Sequence, residues 1–336
     1  MPNRTIEKSE RAMPTIGLGP HGERAFPADQ LILTEAEAEL ARAGRISASI
    51  VLHTTSSDWS RQELAGIIAT LGQYSATVSE IVDCGFDKEK QNRELRRLAG
   101  APNDGIISLP IGSSGVLEAH RVVGKAGKKL VLLDNAPSGL RPGVDYLAVS
   151  SADNFGLGAI AAELISPYAP HEGVVGILNY EAEFFVTNER ELAFRKWMGA
   201  ERPDLTLVRE RFGKVEEAGA AYVRILAEND DLDCCFIAWD VPALRVLAAI
   251  RDGARSLPLI TVDLGNDIVA ELKLGGPLKG IAAQRPYDQG AAAAKALLLG
   301  VIGRTPPAWL SATGLKVTPD NLREACEAVW RAPAPP

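Results

Sequence analysis

The feature that most constrains this chain is a regular alternation of short apolar segments with amphipathic segments. Apolar runs such as 46–53, 129–134 and 234–239 have the length and composition of buried strands. A segment between two such runs, 60–74, carries Leu64, Ile67, Ile68 and Leu71 at helical spacing. This alternation is typical of βαβ units, in which a helix crosses over between two parallel strands.

The alternating pattern occurs in two copies of similar length. The first copy covers about 46–150 and ends where residues 152–154 begin a helix, and the second covers about 173–283. The chain of 336 residues is long enough for about two domains. The sequence therefore predicts an α/β fold with two similar doubly wound lobes and a ligand cleft between them.

Composition and charge narrow the class of protein. The chain is 46% apolar and 24% charged, and its formal net charge of −7 gives no general attraction for nucleic acid or anionic lipid. The most apolar run, 291–303, is shorter than the roughly 18–20 residues that span a bilayer. Cys84, Cys234, Cys235 and Cys326 show no metal or disulfide spacing, so we expect buried free thiols.

Polar and aromatic residues follow the predicted strands. They are the turn 53–59, which ends in Trp59, then Asp134-Asn135, Trp239-Asp240 and Asp263. Because the carboxyl ends of parallel strands meet at one edge of a sheet, these residues should gather at a binding site. Aromatic, carboxylate and amide groups together suit a small polyhydroxylated ligand.

Each candidate also has a structural interpretation. Trp59 can stack on the C–H face of a sugar or polyol, or it can fill the rim of its lobe. Asp134 and Asp263 can accept hydrogen bonds from ligand hydroxyls, or they can cap the next helix or turn. Arg190 could complement those carboxylates or could be a solvated helix residue, and Gln284 alone is weak evidence.

The sequence offers no support for catalysis. The four histidines lack metal-binding spacing, and the chain contains no G-x-S-x-G or G-x-x-x-x-G-K motif. The pair Gly17 and Gly19 does not lie between a strand and a helix. We therefore expect a binding protein with no catalytic residue, no bound metal and no cofactor.

With these residues placed, the chain resembles the type I periplasmic sugar-binding proteins, in particular the ribose-binding branch of the solute receptors of carbohydrate ABC transporters. The resemblance covers about 46–316. It rests on the order and spacing of four segments: Asp104-Gly105-Ile106-Ile107, Leu133-Asp134-Asn135, Ala152-Asp153-Asn154-Phe155-Gly156-Leu157-Gly158 and Ala283-Gln284-Arg285-Pro286.

The resemblance implies two lobes that close on a ligand about a three-segment hinge. It implies an N-terminal lobe of 46–151 plus 285–311 and a C-terminal lobe of 152–284 plus 312–336. Residues 1–45 would form an N-terminal arm. The chain would be periplasmic, although no signal peptide is visible in it and a cytoplasmic location stays open.

The resemblance also implies roles for individual residues. Nine residues match the family's ligand-binding positions or stand beside them: Trp59, Asp134, Asn135, Asn154, Arg190, Phe212, Trp239, Asp263 and Gln284. Two of these differ from the ribose-binding pattern, with Asn135 in place of an arginine and Trp239 in place of an asparagine. The differences disfavour ribose and an acidic sugar, and they favour a neutral pentose, a tetrose or a sugar alcohol.

The expected function is capture of a neutral monosaccharide or polyol by a monomer and its delivery to the membrane permease of an ABC transporter. Two alternatives stand beside this function, and the first of them, a regulator, uses the same core. A sugar-sensing regulator would need a DNA-binding helix pair and a basic face ahead of the core, and residues 1–45 offer one short acidic helix. A sugar-modifying enzyme would need a metal cluster or a poised base. Coupling to a chemoreceptor stays open.

Overall fold

A computed structural model of the chain describes residues 16–181 and 184–331. Within these residues the strands are β1 (Phe26–Pro27), β2 (Ser47–Leu52), β3 (Thr77–Asp83), β4 (Gly105–Ser108), β5 (Lys129–Leu133), β6 (Ala148–Ala152), β7 (Val174–Tyr180), β8 (Thr206–Phe212), β9 (Leu232–Ile237), β10 (Leu259–Val262), β11 (Leu278–Ala283), β12 (Trp309–Ala312) and β13 (Leu315–Val317).

The α-helices alternate with these strands. They are α1 (Glu35–Ala43), α2 (Asp58–Gln73), α3 (Lys88–Ala99), α4 (Leu117–Lys125), α5 (Asn154–Ile165), α6 (Phe185–Glu201), α7 (Ala218–Glu228), α8 (Asp240–Arg251), α9 (Asn266–Lys273), α10 (Pro286–Val301) and α11 (Leu322–Trp330). None of these helices is both long enough and apolar enough to cross a membrane.

The strands form two sheets, one in each lobe. The first sheet has the order β1-β12-β6-β5-β4-β2-β3 and is parallel throughout. The second has the order β13-β11-β10-β9-β7-β8, with β13 antiparallel to β11. Strand order reverses between β2 and β4 in the first sheet and between β7 and β9 in the second, so the predicted α/β fold with two doubly wound lobes is confirmed.

The chain passes between the two sheets three times. It leaves the first sheet after β6, returns to it after β11, and leaves it again between β12 and β13. Helix α5 packs with α6 and β11 in the second lobe, whereas α10 packs on α2 in the first. The lobe boundaries that the resemblance implies, at 151/152, 284/285 and 311/312, stay a prediction.

Each sheet separates two hydrophobic cores, because successive side chains of a strand point to opposite faces. In β2, Ile50 and Leu52 lie in one core of the first lobe, and Val51 lies in the core on the other face. In β7, Leu178 and Ile177 divide between the two cores of the second lobe in the same way. Near-continuous apolar strands are therefore required here, and the sequence supplies them.

The described part of the predicted N-terminal arm packs on the first lobe. Strand β1 pairs with β12, and the side chain of Leu33 is buried in the core beneath α10. Helix α1 begins with a capping box between Thr34 and Glu37, which satisfies backbone N–H groups in its first turn. At the connection after β6, the Asp153 carboxylate accepts hydrogen bonds from the backbone N–H groups of Ile16 and Gly17. Residues 1–15 lie outside the described residues.

The four cysteines are free and buried, as the sequence predicts. Burial raises the pKa of Cys84 and of Cys326 to about 11, and that of Cys234 to about 12. Their thiols therefore stay protonated and unreactive at neutral pH.

Helices α2 and α10 approach so closely that glycine is required at their contact. A Cβ atom on Gly66 would lie 2.1 Å from the carbonyl oxygen of Tyr287, and one on Gly290 would lie 2.1 Å from that of Glu63. Both obstacles are backbone atoms, which cannot rotate away as a side chain can. This contact fixes where the N-terminal end of α2, with Trp59 and Glu63, lies relative to α10.

We predict that Gly66→Ala destabilises the chain by about 2 kcal/mol or more, because the added methyl group separates two packed helices. Gly72→Ala is the matched control on the same helix, since a Cβ atom there would meet nothing within 4 Å. That control should be stabilising by about 0.5–1 kcal/mol, because alanine has the higher helix propensity. Urea unfolding measures both, and equal effects would contradict the close approach.

Candidate functional site

Two aspartates occupy equivalent places in the two lobes. Asp134 directly follows β5 and Asp263 directly follows β10, and their φ angles are 55° and 72°. The left-handed region is unfavourable for most residues but is tolerated by aspartate. At both strand ends the backbone therefore turns in an uncommon conformation, and a buried carboxylate lies near the junction of the lobes. Such conformations are concentrated at functional sites.

A buried guanidinium lies between the elements that carry these carboxylates. Arg190, on α6, is 3% exposed. Its Nε donates a hydrogen bond to Asn154 Oδ1 at 3.0 Å, and its Nη1 donates to the carbonyl oxygen of Ala238 at 3.2 Å. The same Nη1 lies 3.6 Å from Asp263 Oδ2. Arg190 thus connects α5, the end of β9 and the end of β10.

The network continues through the connection after β11 into the first lobe. Gln284 Nε2 donates to Asp263 Oδ1 at 2.5 Å, and Gln289 Nε2 on α10 donates to Gln284 Oε1 at 3.1 Å. The backbone carbonyl of Gln289 accepts from Ser150 Oγ on β6 at 2.8 Å. One chain of polar contacts therefore joins the two lobes through the connecting segments.

Aromatic rings form one side of this region in the second lobe. The Trp239 ring centroid lies 5.5 Å from that of Phe212 and 5.6 Å from that of Tyr180. Phe212 is buried in the hydrophobic core of the second lobe, and Trp239 packs against that core. Tyr180 is not among the sequence-predicted residues, although its place at the end of β7 is the same signal that indicated the others.

Trp59 and Asn135 join neither the polar network around Arg190 nor the aromatic group around Trp239. Trp59 lies in the first turn of α2 and packs edge-on against His53, with 6.0 Å between ring centroids. Its buried indole N–H has no hydrogen-bond partner within the described chain. Asn135 is 1% exposed, and neither its amide oxygen nor its amide nitrogen has a partner within residues 16–181 and 184–331.

Sequence reasoning missed Glu63, which is fully buried on α2. Both of its carboxyl oxygens lack a hydrogen-bond partner among the described residues. A signal was available, because Glu63 precedes Ile67 by four residues and Leu71 by eight, so an acidic residue lies on the apolar face of its helix.

Carboxyl groups dominate the electrostatics of the site. Burial raises the pKa of Asp134 to about 7, although the Arg190 guanidinium acts in the opposite direction. Burial, together with the negative charge of Asp134, raises the pKa of Glu63 well above its ordinary value. Burial and Asp263 likewise raise the pKa of Asp240 to about 8. The described chain contains no group of three side chains that could hold a metal ion.

The two lobes touch across the cleft at two helix N-termini. Asp58, the first residue of α2, accepts a hydrogen bond through Oδ2 from the backbone N–H of Asn266, the first residue of α9, at 2.8 Å. A carboxylate is favoured at the N-terminus of a helix, where backbone N–H groups lack internal partners. This contact joins the first lobe directly to the second.

A depression of about 840 Å³ lies elsewhere, between α7 and α8 of the second lobe. Its walls include Val223, Arg245 and Ala249, and none of the nine predicted site residues lines it. We identify the junction of the lobes as the candidate site, because it combines convergent polar groups, perturbed pKa values and buried atoms without partners.

A comparison with protein-family models finds one that matches residues 48–304, and that model describes the periplasmic binding protein domain. The match covers most of the chain and both lobes. No curated protein sequence matches the chain.

Solved structures with the same fold include three solute-binding proteins. One, from Agrobacterium vitis and bound with alpha-D-tagatopyranose, is 19% identical, has a TM-score of 0.77, and is matched over 87% of this chain and 100% of its own. Another, from Agrobacterium radiobacter and bound to D-arabinose, is also 19% identical, with a TM-score of 0.75 and coverage of 84% and 98%. A third, from Mycobacterium smegmatis with bound glycerol, is 18% identical, with a TM-score of 0.73 and coverage of 82% and 95%.

We predict that Asp134→Asn becomes progressively more stable than the unmodified chain as pH rises. The folded-state pKa of about 7 exceeds the ordinary value of 3.8, so the folded chain holds an extra proton between these pH values. Stability from this group is therefore lost as pH rises through that window. Asparagine has no proton to lose, so the difference in the free energy of unfolding should grow by about 1–4 kcal/mol and then level off.

Urea unfolding of both chains from about pH 4 to about pH 8 measures this difference. His53 and His120, whose pKa burial lowers to about 4, contribute equally to both chains and cancel. A difference that does not change with pH would mean that Asp134 is ionised throughout and well solvated.

Proposed function

Because the chain belongs to the family of periplasmic binding proteins, we propose that it captures a neutral sugar or sugar alcohol in the cleft between its two lobes. The observation that carries this proposal is the network of Arg190, Asp263 and Gln284 beside Asp134. It gathers donors and acceptors from both lobes at one buried place.

The chemistry of these groups suits neighbouring hydroxyls. A carboxylate accepts from several hydroxyl groups at once, whereas a guanidinium donates in a fixed fork, so together they complement a polyol. Trp59 and Trp239 supply flat apolar faces on opposite lobes for the C–H side of the ligand. Asn154 keeps Arg190 in place through the 3.0 Å hydrogen bond.

The charge balance favours a ligand without a negative charge. Arg190 is the guanidinium of the polar network, and it already donates to Asn154 and Ala238. The negative charge of Asp263, which raises the pKa of both Asp134 and Asp240, would also repel a carboxylate or phosphate on the ligand. Tagatose, arabinose and glycerol, which the related structures hold, are all neutral polyhydroxylated compounds.

Delivery to the membrane permease of an ABC transporter, as a monomer in the periplasm, completes the proposal. Closure of two lobes around a ligand would present a different surface to the permease from the open form. The contact between Asp58 and Asn266 would stabilise the closed form. Binding would proceed without turnover, and the ligand would be released unchanged.

A thermal-shift screen tests this function. The purified chain is heated with pentoses, hexoses, tetroses and their alcohols, including D-arabinose, D-tagatose, D-ribose, erythritol and glycerol. We expect one or a few related compounds to stabilise the fold by roughly 2.7 kcal/mol at about 100 times the Kd. Affinity should hardly change with salt, because a neutral ligand has no Coulomb attraction to screen.

Two aspartate variants locate the binding event. Asp263→Asn should weaken binding of the identified compound by about tenfold or more, because a ligand acceptor and the partner of Arg190 are lost. Asp204→Asn is the matched control, since Asp204 also pairs with an arginine, Arg202, at 2.8 Å but is not one of the predicted site residues. A library without any hit, or recovery of a chemically altered ligand, would contradict the proposed function.

A further inference from the structure

Buried polar atoms without partners are concentrated on the first-lobe side of the cleft. In the site residues of the first lobe, the buried atoms without a hydrogen-bond partner are the indole nitrogen of Trp59, both carboxyl oxygens of Glu63, Oδ1 of Asp134, both amide atoms of Asn135 and Oε1 of Gln289. A buried polar group is costly unless it is hydrogen-bonded. So many unpartnered groups in one region of the described chain indicate that a ligand completes their hydrogen bonds.

One electrostatic effect and one backbone contact place Glu63 in this region. The charge of Asp134 acts directly on its carboxyl group. Its backbone packs against Gly290, the neighbour of Gln289 on α10. The other charged groups around α2 are engaged elsewhere: Asp83 with Thr55, Asp58 with Arg61, and Asp288 with Arg285 and Arg331.

Packing alone gives no reason for a glutamate at position 63. The residue shares a helix face with Ile67 and Leu71 and is fully buried. An apolar side chain of similar size would avoid the cost of burying a carboxyl group. Glu191 on α6 is a buried glutamate whose hydrogen bonds are satisfied within the protein, unlike those of Glu63. Its oxygens accept hydrogen bonds from Asn179 at 2.6 Å and from Arg209 at 3.0 Å.

We propose that Glu63 is a further ligand-binding residue, and that its carboxylic acid group together with the Asn135 amide selects a hydroxyl group on the ligand. This inference rests on the proposed function and assigns part of its specificity. The Glu63 carboxylic acid donates its O–H to the oxygen of the ligand hydroxyl. The amide oxygen of Asn135 accepts the proton of that hydroxyl in a second hydrogen bond. A neutral acid offers one donor and one acceptor, which is the pattern that a hydroxyl group complements.

The raised pKa of Glu63 agrees with this role. Burial and the charge of Asp134 both favour the protonated form of Glu63 at neutral pH. An ionised Glu63 would instead suit an ammonium group on the ligand. The two forms respond differently to glutamine, which resembles the acid in shape and in hydrogen bonding but cannot carry the charge.

The test compares Glu63→Leu, Glu63→Gln and Glu191→Gln by calorimetric titration and thermal unfolding. The probe is whichever of D-arabinose, D-tagatose, D-ribose, erythritol and glycerol stabilises the unmodified chain most. We expect Glu63→Leu to unfold at the same or a higher temperature than the unmodified chain and to bind roughly 10- to 100-fold more weakly. Glu63→Gln should retain affinity within about fivefold, because it keeps a donor and an acceptor.

The control Glu191→Gln should show the opposite combination, with a lower unfolding temperature and unchanged affinity. Monodeoxy derivatives of the probe then identify the contacted hydroxyl. One derivative should bind the unmodified chain about tenfold more weakly than the probe does, yet bind Glu63→Leu as well as the probe does.

Three results would overturn the inference. Normal affinity in Glu63→Leu would show that the residue does not contact the ligand, while the proposed function would stand. Equal losses in Glu63→Gln and Glu63→Leu would show that the ionised form is used, which contradicts hydroxyl selection by the acid. Failure of every probe to stabilise the unmodified chain would overturn the proposed function and this inference together.

Discussion

The site depends on one buried cation that is shared by several carboxyl groups. Arg190 lies 3.6 Å from Asp263 and donates hydrogen bonds to Asn154 and to the Ala238 carbonyl. Its positive charge also lowers the pKa of Asp134, which burial raises. A buried charge is tolerated only when it is paired and hydrogen-bonded, so these residues fix one another. Because they come from α5, α6 and the ends of β5, β9 and β10, the network also fixes how the lobes meet.

Backbone constraints put the remaining groups around this cation. The left-handed conformations of Asp134 and Asp263 turn the chain sharply at two strand ends, and the glycine contact between α2 and α10 sets the position of Glu63. The resulting cleft is rich in acceptors, which suits a ligand with many hydroxyl donors. The hydrogen bond from Asn266 to Asp58 connects the lobes at the rim, where closure would shield the ligand from water.

Most of the fold follows from the sequence, because strand and helix periods are local properties of the chain. The predicted helical segment 60–74 matches α2, and the positions of Asp134 and Asp263 after apolar strands indicated two carboxyl groups that act on each other in the folded chain. Other features depend on tertiary contacts that no local pattern contains. The apolar face of α2 indicates that Glu63 is buried, but its lack of hydrogen-bond partners among the described residues is a property of the folded chain. The packing of residues 16–45 on the first lobe depends on pairing between β1 and the distant β12.

The most direct test of the account is a crystal structure of the chain with the compound that the thermal-shift screen identifies. We predict ligand density between the lobes, with ligand oxygens within about 3.2 Å of Arg190, Asp263 and Asp134 and with one oxygen beside Glu63. Density in the depression between α7 and α8, or at the cleft without contact to Arg190 and Asp263, would contradict the account.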